Sequence, residues 1–87
     1  MIELPPALYD HPYPGKLYVE EKRLSEVHEL CHALGVPAIA PIYGCALRLS
    51  HGCHIIIPII GVGGVAPRTY AIIRRHETAH CNGWKHN

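Results

Sequence analysis

Residues 67–83 read PRTYAIIRRHETAHCNG, and the fold is worked out from this stretch backwards. Proline is tolerated at a first helical position because its missing N–H would go unpaired there anyway, and glycine just past a last turn stops a helix. The stretch therefore predicts a helix over Arg68 to Cys81, with Pro67 at its start and Gly83 past its end. Before it, Gly61 to Pro67 (GVGGVAP) is a glycine-rich connector. Ile42 to Leu49 (IYGCALRL) and Cys53 to Ile60 (CHIIIPII) read as two strands of a hairpin around Ser50-His51-Gly52. Pro58 cannot donate to a ladder, which predicts an edge position for the second strand. Further back, Ser25 offers an N-cap, Val27, Leu30, Cys31 and Leu34 recur at helical spacing, and Gly35 with Pro37 supplies a stop. Lys16 to Lys22 (KLYVEEK) alternates well enough for a strand. Residues 1–15 carry Pro5, Pro6, Pro12, Pro14 and Gly15 and read as an extended arm. The order is strand, helix, two strands, helix: an α+β domain with a small three-stranded sheet.

A chain of 87 residues holds one domain with one core. At this size about 60% of the unfolded surface is buried, so a metal or a disulfide is expected as a staple. Hydrophobic residues make up 48%, charged residues 17%, and the formal net charge is +1, which excludes a disordered chain and a strongly basic nucleic-acid binder. The longest apolar stretch, Ile55 to Val62, is broken by Pro58 and Gly61 and falls short of the roughly 20 residues of a membrane span. The first residues, Met1-Ile2-Glu3-Leu4-Pro5-Pro6, lack the pattern of a secretory signal. A cytoplasmic location is expected, or a periplasmic or secreted one where a leader has been removed. The four cysteines, Cys31, Cys45, Cys53 and Cys81, contain no CxxC pair. Cys45 and Cys53 flank the hairpin and either pair across it or stay reduced.

The unusual count is eight histidines. Three of them fall in His76-Glu77-Thr78-Ala79-His80-Cys81-Asn82-Gly83-Trp84-Lys85-His86, which is HExxHxxGxxH. Residues four apart on a helix share a face, so His76 and His80 can converge on one metal ion. Gly83 can take positive φ and swing the chain back so that His86 reaches the same ion. Three protein ligands leave one position open, as a catalytic zinc site requires. At this composition HExxH is expected by chance about 0.05 times, and the extended form about 0.0004 times. The weight of the motif therefore rests on His86.

The first helix carries a competitor, His28-Glu29-Leu30-Cys31-His32-Ala33-Leu34-Gly35, also HExxHxxG. Ala38 stands where a third histidine would be. Centring Val27, Leu30, Cys31 and Leu34 on the buried face turns His28 and His32 toward solvent, so this helix is read as a packing element. His51 and His54 lack helical spacing and partners for a second metal.

HETAHCNGWKH resembles the zinc signature of the metzincin metalloproteases, and the element order is similar to a stripped-down zincin catalytic half-domain. The HExxHCNGW form is also similar to that of a group of small bacterial metallopeptidases. The specific match covers Arg75 to His86. After the Pro-rich arm over 1–15, the resemblance implies one zincin-like catalytic domain over 16–87, with a backing helix and an active-site helix. It implies Zn2+ as cofactor, His76, His80 and His86 as its ligands, and Glu77 as the general base acting on the zinc-bound water. A peptide or protein is the implied substrate, with neither nucleic acid nor membrane as partner. In zincins an edge strand binds extended peptide by backbone pairing, and His54 to Ile60 is the candidate. Tyr70 and Tyr43 are the candidate oxyanion stabilisers. Metzincins carry a methionine turn downstream of the third histidine, whereas the only methionine here is Met1. The alternative is a non-catalytic module stapled by zinc, closed by a fourth ligand such as Cys81 or Asp10.

Overall fold

The computed structural model of the chain describes residues 2–86. Its elements are β1 (Leu17–Lys22), α1 (Leu24–Ala33), β2 (Cys45–Leu49), β3 (Gly52–Pro58) and α2 (Pro67–Cys81). The α+β class and the element order match the expectation. The sheet is mixed, in the order β1-β3-β2, with β1 parallel to β3 and β2 antiparallel to it.

β3 is therefore the centre of the sheet, not the edge that Pro58 suggested. The reason is positional. Cys53 and Ile59 donate their N–H to the carbonyls of Lys16, just before β1, and Lys22, its last residue, at 2.9 and 2.8 Å, so the N–H groups of odd-numbered residues face β1 and the missing N–H of Pro58 falls on the β2 side. There β2 has already ended, since its pairing with β3 stops at Cys45 opposite Ile56. The better signal was the run Ile55-Ile56-Ile57, at most 1% exposed, because a strand covered on both faces is apolar without alternation. β2 also begins three residues later than Ile42.

Successive β3 side chains point to opposite faces and recruit one helix each. Ile56 packs with Val27 and Cys31 of α1, and Cys53, Ile55 and Ile57 pack with Ile73 and Cys81 of α2. The α1 stripe is narrower than expected. Val27 and Cys31 are its buried residues, Leu34 is exposed, and Arg23 rather than Ser25 holds the N-cap position.

Each face is closed by a disulfide, Cys31–Cys45 on the α1 side and Cys53–Cys81 on the α2 side, with Cα separations of 5.9 and 5.8 Å. Neither alternative for Cys45 and Cys53 holds: both are oxidised, but not to each other, because Cys45 lies in register with Ile56 and Cys53 with Arg48, which puts the two sulfurs on opposite faces. The loops closed span 14 and 28 residues. In the chain-entropy picture loops of this size contribute about 3 to 4 kcal/mol each. The staples of this small core are covalent.

The Pro-rich arm runs back along α2. The Asp10 carboxylate pairs with the Arg75 guanidinium, whose Nε donates at 2.8 and 3.0 Å, and the Asn82 amide donates to the carbonyls of Tyr9 and His11 at 3.0 and 2.7 Å. Ile2 reaches the apolar cluster around Ile73 and Cys81. These anchors bring Glu3 beside the end of α2 that carries the histidines. Among the described residues no helix is long and apolar enough to cross a membrane.

Candidate metal centre

His76 and His80 lie one turn apart on α2, and the way the helix ends supplies the third histidine. Gly83 has φ +107°, its N–H donates to the His80 carbonyl at 3.0 Å, and the Trp84 N–H donates to the Ala79 carbonyl at 3.1 Å. This pair of bonds is the Schellman stop, which a side chain at position 83 would strain. The reversal buries Trp84, stacks its indole on the His80 ring at 4.7 Å and 7°, and returns the chain toward the helix. As the spacing predicts, one ligand atom from each of His76, His80 and His86 lies within 4.8 Å of the others.

The proton positions on two of the rings follow from their partners. His76 Nδ1 sits 2.6 Å from the Glu3 carbonyl oxygen, and His80 Nδ1 sits 2.7 Å from the Trp84 carbonyl oxygen. A carbonyl only accepts, so both Nδ1 atoms carry the hydrogen and both neutral rings keep their lone pair on Nε2. Those two Nε2 atoms are 3.1 Å apart. Two lone pairs at that distance repel unless a cation lies between them. Burial holds both rings below the ordinary histidine pKa, which disfavours a proton in that role. The three imidazoles can therefore hold a metal ion.

Glu77 is buried, at 7% exposure, and lines the same cleft of about 480 Å3 as His76, His80 and Trp84. Burial pushes its carboxyl up to about 8. Its place depends on Gly44, where an added Cβ would come within 3.1 Å of Glu77 Oε2 and 3.2 Å of the Ile56 carbonyl oxygen. β2 contributes Ala46 and Arg48 to the cleft wall, and a second hollow of about 400 Å3 on the arm side is lined by Ile2, Glu3, Ile39 and Tyr43 together with His76, Glu77 and His86.

Several expectations are redirected. Because β3 is central, His54 to Ile60 offers no free edge to a peptide, and β2 is the edge strand at the cleft. Tyr43 borders the centre, whereas Tyr70 lies toward the other end of α2, donating to Glu21 and accepting from Arg74 at 3.1 Å. Of the two candidate fourth ligands, Cys81 is bonded to Cys53 and Asp10 to Arg75. His28 is turned inward far enough for its Nδ1 to accept the Ile42 N–H at 3.0 Å, while His32 stays exposed. His54 Nε2 lies 3.0 Å from Glu20 Oε1. Among the described residues His76, His80 and His86 are the one group that could hold a metal.

Glu3 was missed. It is 73 residues from His76 in sequence and meets it through a backbone carbonyl, so no residue pattern marks the contact. No family model, curated protein or solved structure matches the chain.

Proposed function

We propose that the chain is a minimal zinc-dependent metallopeptidase in which His76, His80 and His86 hold the zinc and Glu77 is the general base. The observation that carries this reading is the pair of Nε2 atoms 3.1 Å apart on rings whose Nδ1 atoms both face carbonyls, with a third imidazole beside them. The all-nitrogen donor set suits Zn2+, which takes three histidines and an open fourth position in catalytic sites. Bound there, zinc would supply a Lewis acid for a peptide carbonyl and lower the pKa of water toward about 7. The chain's own residues do the rest. Glu77, in the wall of the same cleft, would accept a proton from the attacking water and return it to the leaving amine. Burial alone favours the neutral carboxyl, and a zinc ion bound beside it would oppose that and favour the ionised carboxylate a general base needs. An extended peptide adds to the free edge of β2, with Arg48 at the cleft for its polar groups.

A purely structural zinc has less to do here, because two disulfides already tie each helix to the sheet and the side chains expected to close the site are engaged elsewhere. Disulfides persist in oxidising surroundings, which favours a periplasmic or extracellular setting over the cytoplasm. The test is Glu77→Gln, assayed on a peptide library that the wild type cuts in a zinc-dependent manner. The variant should keep its zinc and lose about 10² to 10⁴-fold in turnover. Cleavage at the wild-type rate would remove the enzyme reading.

A further inference from the structure

The three ligands differ in what holds them. His80 is oriented from within its own helix end, by the Trp84 carbonyl. His76 and His86 both turn their Nδ1 atoms to one residue of the arm: the Glu3 carbonyl oxygen is 2.6 Å from His76 Nδ1, and Glu3 Oε1 is 3.3 Å from His86 Nδ1. The arm that carries Glu3 is itself fixed by Asp10 on Arg75 and by the Asn82 amide on the carbonyls of Tyr9 and His11.

We infer that Glu3 is a positioning residue of the metal centre, its backbone carbonyl orienting His76 and its carboxylate orienting His86 so that both present Nε2 to the ion. A ligand imidazole whose far nitrogen faces a carbonyl or carboxylate is fixed in tautomer and ring angle and is a more basic donor. Glu3 supplies one acceptor of each kind. Its carboxylate lies outside the group of mutually close ligand atoms, so it acts through His86 rather than on the metal. His86 has most need of it, because its side chain is 51% exposed and sits beyond the last helical turn. In this reading the arm completes the site. A latch over the cleft would predict the opposite effect of disturbing it.

The inference rests on the metal-centre reading, and Co2+ alone, titrated into metal-free protein, tests both. Glu3→Ala should bind Co2+ about 10 to 100-fold more weakly than wild type, with altered visible absorption, and Glu3→Gln, which keeps an acceptor oxygen, should recover part of both. Replacing the Leu4 amide by an ester weakens the Glu3 carbonyl as an acceptor and should lower affinity with the carboxylate intact. The metal-free melting temperature serves as the folding control, because an exposed Glu3 side chain contributes little to the core. Wild-type affinity and an unchanged spectrum in Glu3→Ala would overturn the positioning role alone. A wild type that binds no Co2+ would overturn the metal centre and this inference with it. If metal-free Glu3→Ala melts lower, recovery of the spectrum by Glu3→Gln decides for positioning and failure to recover decides against it.

Discussion

α1 and α2 carry the same HExxHxxG pattern and end in the same way. At α1 the Gly35 N–H donates to the His32 carbonyl at 3.0 Å and the Val36 N–H to the Cys31 carbonyl at 3.1 Å, which repeats the stop at Gly83 and Trp84 bond for bond. Even the second histidine behaves alike, His32 Nδ1 facing the Val36 carbonyl at 3.0 Å as His80 Nδ1 faces that of Trp84 at 2.7 Å. The helices part company at the first histidine. His28 Nδ1 accepts an N–H from Ile42, so its hydrogen sits on Nε2, whereas His76 Nδ1 donates to Glu3 and leaves Nε2 free. The rings are 6.5 Å apart in α1 and 4.8 Å apart in α2. The motif fixes spacing, while the group facing the far nitrogen and the third histidine, present as His86 and replaced by Ala38 after α1, separate the two helices.

The sharpest way to break this contrast is to count zinc. His76→Ala or His80→Ala should take bound zinc from one ion per chain to almost none by elemental analysis, while His28→Ala with His32→Ala should leave it in place. Full zinc in the His76 variant would end the assignment. The next largest contrast concerns the two glutamates. Glu77→Gln should cost about 10² to 10⁴-fold in turnover, and the matching Glu29→Gln, on an exposed residue of α1, should cost nothing in the same assay.

A smaller effect is expected at Gly44, which has no counterpart beside Glu29. Gly44→Ala should push the Glu77 carboxylate aside by a few tenths of an ångström, lowering turnover about tenfold with zinc content unchanged. The smallest effect belongs to α1 itself. His28→Ala leaves the part-buried Ile42 N–H without its partner, at a cost of about 1 to 3 kcal/mol read as a melting temperature lower by several degrees. His32→Ala, at an exposed ring, should change melting less than His28→Ala. Equal shifts would mean that His28 holds nothing in place.

What the sequence showed depended on how local the cause was. Pro67 at the helix start, glycines at 35 and 83, and the spacing of His76, His80 and His86 act over a few residues and could be read directly. Pro58 misled because a missing donor matters only where a partner strand runs, and where β2 ends is not written near Pro58. The cysteine pairs follow from strand register, which also turns on distant contacts, and so does the inward turn of His28 toward Ile42. Glu3 is the extreme case: half of its contribution comes from a carbonyl that any residue would supply.

The Cys53–Cys81 bond joins the last residue of α2 to the central strand, one position beyond His80. Helix ends ordinarily fray, opening and closing far more often than the domain unfolds. Here one end of α2 is tied covalently to the central strand of the sheet. Its amides should exchange hydrogen with solvent only as fast as the whole molecule opens, and the unstapled first turn near Pro67 should exchange sooner. A metal ion held at such an end would keep its His76 and His80 ligands in place until the whole molecule opens, leaving the exposed His86 as the ligand that lets go first.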